Sequence, residues 1–89
     1  MKIRIDQHTL DRAEERGTNA EEIREVIERG TPFQAERGRL GKAKIYPFHQ
    51  QRLGKFYEQR RVEVIYTQES DTLVAVTVYV FYGRWEGQG

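Results

Sequence analysis

The chain of 89 residues contains no cysteine, only two prolines and a single tryptophan. Without cysteine it can form no disulfide bond, no thiolate metal site and no cysteine nucleophile. Its longest apolar run covers residues 73–80 and is interrupted by Thr77, so it falls far short of the ~20 apolar residues that span a bilayer. The first residues also lack the apolar run of a secretion signal. We therefore expect one small cytoplasmic domain with no membrane partner.

Charge is almost balanced overall, with 15 Lys or Arg and 14 Asp or Glu, but it is unevenly distributed. Residues 31–66 hold eight Lys or Arg and three Asp or Glu. A basic segment in a nearly neutral chain favours an anionic partner such as RNA. The alternative is a solvated hairpin whose lysines protect a sheet edge from aggregation.

Two helices are predicted in the N-terminal third of the chain. Residues 2–5 alternate between polar and apolar side chains, which indicates a short strand before the first helix. That helix is expected over residues 7–16 and ends at Gly17, because glycine readily adopts the left-handed conformation of a C-cap. The second helix is expected over residues 20–29, where apolar residues recur every three or four positions, and it ends at Gly30.

In the remainder of the chain the hydrophobic period changes to two, the period of a β-strand. Strands are predicted over residues 42–46, 56–67 and 72–82. The segments 34–42 and 49–55, which are rich in glycine or charge, are expected to be mobile loops. Both faces of the last strand are apolar, which places that strand either in the centre of a sheet or under a protein partner.

Together these elements predict an α+β fold. We expect a short N-terminal strand, two helices and then a three-stranded antiparallel meander, with the helices on one face of the sheet. Residues 1–85 are predicted to form a single domain, and residues 86–89 a frayed tail.

Because side chains alternate along a strand, each predicted strand can be divided into two faces. The four valines of residues 74–80 are expected to face the core, together with Ala43, Ile45 and Val62. The opposite face is then predicted to collect basic, acidic and hydroxyl side chains: Lys44, Tyr46, Arg61, Glu63, Thr77 and Tyr79.

This predicted polar face suits phosphate chemistry. Lys and Arg neutralise a phosphodiester and its transition state. Tyr46 and Tyr79 are candidates for stacking on bases or for donating a proton. Glu63 is a candidate general base. The alternative is an ordinary solvent-facing sheet, in which a cross-strand pair of Arg and Glu contributes mild stabilisation.

His8, Arg12 and Arg16 are spaced by four residues and therefore share one face of the first predicted helix. A histidine titrates near neutral pH, so His8 is a candidate acid or base, although it could equally pack or cap locally. No metal is expected, since His8 and His49 lie far apart in the sequence without carboxylates at ligand spacing. No cofactor is expected either, because the glycines of residues 38–42 are too close together for a nucleotide-binding loop.

The order and spacing of four short motifs resemble the bacterial domain-of-unknown-function family numbered 4258, over about residues 6–85. These motifs are His8-x-x-x-Arg12-x-x-Glu15-Arg16-Gly17, Arg61-Val62-Glu63-Val64-Ile65-Tyr66, Val76-Thr77-Val78-Tyr79 and Tyr82-Gly83-Arg84-Trp85. The positions that match the family pattern are His8, Arg12, Arg16, Arg61, Thr77 and Tyr79. That family is similar to the RelE/BrnT-like toxins, small metal-independent ribonucleases of toxin–antitoxin systems, whose order of elements agrees with the fold predicted above.

The resemblance implies an endoribonuclease that cleaves RNA by transesterification. His8 or Glu63 would act as the base and Tyr79 or His8 as the acid, while Arg12, Arg61 and Lys44 would stabilise the phosphorane. Thr77 belongs to the same predicted catalytic set, and Lys44, Tyr46 and Arg16 are predicted to bind the substrate. The implied partners are RNA and an antitoxin protein, or a second copy of the chain. The chain departs from the RelE-like toxins in lacking their basic C-terminal extension.

The rival hypothesis is a module without catalytic activity that binds RNA or a protein. A module that binds RNA would show an affinity that weakens steeply with salt. A protein-binding module would use exposed apolar anchors, for which Leu73, Phe81 and Trp85 are the candidates.

Overall fold

Two helices lie against one face of a five-stranded mixed sheet, so the chain has an α+β fold. The computed structural model describes residues 2–85, and the predicted frayed tail, residues 86–89, lies outside the described residues. The elements in chain order are β1 (Lys2–Ile5), α1 (Gln7–Arg16), α2 (Ala20–Arg29), β2 (Thr31–Gln34), one 3-10 turn (Glu36–Gly38), β3 (Leu40–Arg52), β4 (Lys55–Glu69) and β5 (Thr72–Gly83). Neither described helix is long and apolar enough to cross a membrane.

The prediction of a three-stranded sheet was wrong, because the meander gains a strand at each side. The strand order is β1-β5-β4-β3-β2, with β1 parallel to β5 and the other pairs antiparallel. The strand β2 is short and contains Pro32, which is tolerated because an edge strand need not donate every backbone hydrogen bond. The strand β1 was predicted from its alternation, but its pairing with β5 was not. The strand β2 was not predicted, and it is stabilised by pairing with its long neighbour β3.

One of the two predicted loops, residues 49–55, is largely strand, and the other, residues 34–42, is partly strand. Residues 34–42 contain the end of β2, the 3-10 turn and the start of β3. Residues 49–55 continue the hairpin of β3 and β4, leaving only Leu53 and Gly54 as the turn. Both turn residues have positive φ, at 53° and 83°, which matches the right-handed twist of the flanking strands. The charged and polar residues of this hairpin are compatible with a strand because much of their side-chain surface stays in solvent.

The helix boundaries were predicted correctly, and their caps explain why. Asn19 accepts a hydrogen bond from the backbone N–H of Glu22 at 2.9 Å, which caps α2. Gly17 ends α1 in the left-handed conformation, with φ at 94°. The hydroxyl of Tyr82 packs directly against Gly17 and donates to the carbonyl of Arg16 at 2.6 Å. Gly17 is therefore required both for its backbone conformation and for the space it leaves.

Replacing Gly17 with Ala is expected to lower the free energy of unfolding by about 2–3 kcal/mol. A residue with a Cβ is strained by ~1 kcal/mol in the left-handed conformation. The new Cβ would also collide with the hydroxyl of Tyr82. The matched control is Gly38→Ala, because Gly38 also has positive φ, at 70°, but has no atom near its missing Cβ. Urea denaturation of both variants separates the two contributions. An equal loss in both would show that the contact with Tyr82 does not matter.

The core lies between the helices and the sheet. It consists of one cluster of buried side chains: Ala13, Ile23, Val26, Ile27, Val62, Val64, Tyr66, Leu73, Ala75 and Val78. Burial of these apolar side chains provides the main driving force for folding and positions α1 and α2 on this face. The opposite face of the sheet, which carries no helix, is called here the helix-free face.

A β-bulge in β5 changes which residues reach the core. Ile65 pairs with Thr77, but the next residue of β4, Tyr66, pairs with Ala75, so Val76 is an extra residue. An extra residue reverses the alternation of side chains beyond it. Val74 is therefore buried on the helix-free face.

The prediction that all four valines of residues 74–80 form one core face was consequently wrong. Val78 belongs to the core cluster, but on the far side of the bulge Leu73 and Ala75 take the place expected for Val74. Leu73 is thereby excluded as an exposed anchor for a protein partner, because it is buried inside the domain. Of the two alternatives predicted for β5, the sheet shows the first, since β5 lies in its interior between β1 and β4.

The helix α1 covers the edge of β5 beyond the end of β1. Only residues 72–75 of β5 pair with β1, which leaves later carbonyls at that edge without strand partners. The buried hydroxyl of Thr9 donates to the carbonyl of Val76 at 3.2 Å, and Nη1 of Arg16 donates to the carbonyl of Val78 at 2.5 Å. This arrangement fixes α1 beside the sheet and brings Arg16 to the margin of the helix-free face.

Candidate functional site

The register of β3 divides the predicted polar face into two parts. Lys44 pairs with Val62, and Ala43 pairs with Glu63. Directly paired residues project from the same face of a sheet. Lys44, and with it Tyr46, therefore lies on the helix side with the core residue Val62, not beside Glu63. The prediction that Lys44 and Tyr46 join Arg61, Glu63, Thr77 and Tyr79 was wrong.

The face of β3 was assigned wrongly because its small and apolar residues are covered on the helix-free face and not by the helices. Gly41 lies directly under the ring of Phe33, its partner in β2. If Gly41 had a Cβ, that atom would be 2.6 Å from the nearest carbon of the ring. Ala43 is buried on the same face. On the helix side the long stem of Lys42 allows its ammonium group to reach the carbonyl of Ile27 at the end of α2, at 2.7 Å.

Lys44 and Tyr46 belong to a group of polar residues that joins the hairpin to α2, the helix-side cluster, which consists of Glu22, Glu25, Lys44, Tyr46 and Arg60. Arg60 makes a bidentate ion pair with Glu22, at 2.8 and 2.5 Å, and its Cζ lies 4.7 Å from the centre of the Tyr46 ring. The hydroxyl of Tyr46 donates to Glu25 at 2.5 Å, and Nζ of Lys44 lies 4.5 Å from the ring centre.

The pKa values of Tyr46 and Glu22 are shifted by burial and by contacts within this cluster. Burial raises the pKa of Tyr46, and the hydrogen bond to Glu25 raises it further. Burial alone would raise the pKa of Glu22. Hydrogen bonds from Arg60 and Thr18 lower it, and so do the positive charges of Arg60 and Lys44. These effects outweigh burial, so the pKa of Glu22 is lowered. Tyr46 is thus held protonated, and Glu22 is held ionised, by partners within the fold.

The helix-free face brings together the other four residues predicted for the sheet. On this face Glu63 of β4 is opposite Tyr79 of β5, and the neighbouring pairs are Arg61 with Phe81 and Ile65 with Thr77. Nε of Arg61 donates to Oε2 of Glu63 at 2.9 Å, and both side chains are about one-fifth exposed (23% and 22%). A carboxylate, a guanidinium, a phenol and a hydroxyl are therefore adjacent and accessible to solvent.

Three of these residues, Glu63, Thr77 and Tyr79, line a groove of about 430 Å³ that runs from β5 towards β2, and Arg61 adjoins it through its hydrogen bond to Glu63. The far wall of the groove is formed by Phe33 and by the turn that follows β2, with Arg37 and Arg39. Between these two walls β3 contributes only small residues to this face, Gly41 opposite Ile65 and Ala43 opposite Glu63. Arg37 adopts positive φ, at 59°, as the chain turns at the rim.

The groove residues from the turn were missed because the segment 34–42 was predicted to be a mobile loop. Phe33, Arg37 and Arg39 all belong to this part of the chain or adjoin it. The available signal was the short segment Thr-Pro-Phe-Gln after the end of α2, since a proline is compatible with an edge strand. Ile65, the other missed lining residue, was recognised as pointing away from the core but was not included in the site.

Arg16 of α1 contacts one of the groove residues, Tyr79. Its Cζ lies 5.3 Å from the centre of the Tyr79 ring, and its hydrogen bond to the carbonyl of Val78 holds it there. His8 and Arg12 are exposed on α1. Within residues 2–85, no hydrogen bond or ion pair connects either of them to a groove residue, and Nε2 of His8 lies 3.4 Å from the hydroxyl of Thr9.

The rim of the groove carries an excess of positive charge. Arg37 and Arg39 line it, and Arg16 and Arg61 contact its lining residues Tyr79 and Glu63. The carboxylates of the lining are those of Glu63 and Glu36. Glu63 is neutralised by Arg61, whereas neither Arg37 nor Arg39 forms an ion pair with any residue between 2 and 85. An accessible groove with unpaired guanidinium groups favours an anionic ligand.

No group of three His, Cys, Asp or Glu side chains suited to holding a metal ion is found in the part of the chain that the structure describes. No protein-family model matches the chain, and neither a curated protein nor a solved structure matches it significantly.

Proposed function

We propose that the groove on the helix-free face is the active site of an endoribonuclease that cleaves RNA by transesterification without a metal ion. The observation that supports this proposal most is the adjacency of Glu63, Arg61 and Tyr79 beside an accessible groove whose lining includes Arg37 and Arg39. A base, a cation for the phosphate and a proton donor are the three groups that this reaction needs.

In the proposed reaction the carboxylate of Glu63 removes the proton from a ribose 2′-hydroxyl. The 2′-oxygen then attacks the adjacent phosphorus, and the bond from phosphorus to the 5′-oxygen breaks. Tyr79 donates its phenolic proton to the leaving 5′-oxygen, which produces a 2′,3′-cyclic phosphate and a free 5′-hydroxyl. Proton exchange with water restores Glu63 and Tyr79.

Arg61 stabilises the charge that develops on the phosphate oxygens. Its hydrogen bond to Glu63 uses Nε, so both Nη groups remain available to a phosphate. Thr77 lies next to Tyr79 along the groove wall and is a hydrogen-bond donor to the substrate. His8 and Arg12 lie outside the groove, and in this proposal they contact the RNA backbone along α1 rather than the reacting atoms.

The resemblance to the RelE/BrnT-like toxins supports the same proposal and adds an antitoxin as the protein partner. A second candidate function is RNA binding without cleavage, and one observation favours it over catalysis. The carboxylate of Glu63 is already engaged by Arg61, as it would be in an ion pair that only stabilises the sheet.

An RNA cleavage assay tests the proposal and separates the two functions. The purified chain is incubated with RNA in the presence of a chelator, and the expected products carry 2′,3′-cyclic phosphate ends. A substrate with a 2′-deoxyribose at the scissile position should remain intact. RNA that is bound but stays intact at high protein concentration would establish the second candidate, and RNA that is neither bound nor cleaved would overturn both.

A further inference from the structure

We propose that Tyr79 and Phe81 form a stacking platform for two unpaired bases of a single-stranded RNA, next to the groove. This inference rests on the proposed function, since it names the part of the RNA that the same face recognises. Its observations concern the flat rings of Tyr79 and Phe81 and not the phenolic proton of Tyr79, so binding can be tested separately from cleavage with an uncleavable RNA.

The two rings lie side by side on the helix-free face at alternate positions of β5. Their centres are 6.3 Å apart, and their planes differ by 28°. Tyr79 and Phe81 are 42% and 47% exposed, so neither is needed to complete the core. Exposed aromatic residues on the face of a sheet are a recurring means of binding unpaired bases, because every base presents a flat π-surface.

Arg16 extends this platform towards α1. Its guanidinium packs over the ring of Tyr79, and its hydrogen bond to the carbonyl of Val78 fixes its position. A fixed guanidinium offers both a flat surface and a charge to the nucleotide that follows the two stacked bases. Arg61, opposite Phe81, supplies a further charge on the side of the groove.

The charges favour RNA over a protein as the ligand of these rings. Arg16 and Arg61 flank the rings, and Arg37 and Arg39 continue the positive surface across the groove. The phosphates of an RNA complement these positive charges, and its successive bases can lie on two neighbouring rings. A hydrophobic protein surface would instead leave these guanidinium groups facing an apolar partner.

The ligand must be single-stranded, because the bases of a duplex are stacked on each other and their flat surfaces are not accessible. Tyr79 is opposite Glu63, so a base on Tyr79 places its ribose and phosphate beside the proposed catalytic groups. The platform would therefore position the nucleotides adjacent to the cleaved bond.

The test is the affinity for a labelled 2′-O-methyl octanucleotide, which cannot undergo the transesterification, measured by fluorescence anisotropy. Phe81→Leu and Tyr79→Leu are each expected to weaken binding about tenfold, since stacking of a base on an aromatic ring is lost. Tyr79→Phe keeps the ring and should bind within about twofold of the wild type. The matched control is Phe56→Leu, which alters an equally exposed ring beside the hairpin turn and should have no effect.

Several results would overturn the proposal: unchanged affinity in both leucine variants, an equal loss in Phe56→Leu, or equally tight binding of a duplex of the same sequence. A change in oligomeric state of Phe81→Leu with unchanged RNA affinity would assign the ring to a protein interface. If the wild type does not cleave ordinary RNA while the leucine variants lose binding, the proposed chemistry fails and the stacking platform stands.

Discussion

Replacing Glu63 with Gln is expected to slow RNA cleavage by at least about 100-fold, because general base catalysis contributes ~10²–10⁴ to such rates. The amide has the same shape as the carboxylate, and its oxygen still accepts the hydrogen bond from Arg61. It cannot take up the proton of the ribose hydroxyl at neutral pH. RNA affinity should stay within about twofold, since an uncharged side chain at this position does not repel phosphate.

The measurement is the initial rate of cleavage at saturating protein, together with the affinity for an uncleavable oligonucleotide. The control is Glu36→Gln, which removes a carboxylate from the rim of the same groove without touching the pair of Arg61 and Glu63. Its cleavage rate should be that of the wild type. Cleavage by Glu63→Gln at the wild-type rate would remove Glu63 from the mechanism, and an equal loss in both variants would indicate a general effect of charge.

Replacing Arg60 with Ala is expected to reduce the free energy of unfolding by about 3 kcal/mol, since it leaves a mostly buried carboxylate without its partner. Arg60 and Glu22 are only 14% and 19% exposed, and Arg60 also packs over the ring of Tyr46. The variant thus loses a bidentate ion pair and a contact between a cation and an aromatic ring. Urea denaturation at pH 7 measures the loss.

The matched control is Arg4→Ala, because Arg4 forms ion pairs of similar chemistry with Glu69 and Asp6, but all three side chains are at least 43% exposed. Removal of such a surface pair is expected to cost no more than about 1 kcal/mol. If Arg60→Ala is no more harmful than Arg4→Ala, the helix-side cluster does not hold the hairpin to α2.

The same cluster predicts a dependence of stability on pH. The pKa of Glu22 is lower in the folded protein than its ordinary value of 4.5, so its contribution is present above that pH. It is lost as the pH falls through the lowered value, because the carboxyl group then becomes protonated and the pair with Arg60 is weakened. Glu22→Gln should therefore lose less stability than the wild type between pH 5 and strongly acidic conditions, as followed by urea titrations.

Local patterns were sufficient for the helices and for the central hairpin of the sheet. The helix α2 was predicted from the spacing of Ile23, Val26 and Ile27, because one apolar stripe has only one way to be buried. The strands β4 and β5 were predicted from their alternation, and with them the adjacency of Glu63 and Tyr79. Their pairing was predictable because a turn of two residues, Ser70 and Asp71, joins them.

The strand β3 shows where such patterns fail. Its sequence alternates between lysines and small or apolar residues. The usual rule that apolar side chains face the core predicts that Ala43 and Ile45 are in the core. The pairing of Lys44 with Val62 reverses this arrangement. Alternation separates the two faces of a strand, but it does not decide which of them meets the helices when both are partly covered.

The sequence by itself determined the class of fold, the two helices, and the presence of a basic and hydroxyl-bearing surface with Arg61, Glu63, Thr77 and Tyr79. Only the tertiary structure decided that Lys44 and Tyr46 belong to a structural cluster instead, and that Phe33, Arg37 and Arg39 complete the groove. The physical reason is that these placements depend on long-range pairing. The register of β3, the added strand β2 and the bulge at Val76 are set by partners distant in the chain, not by neighbouring residues.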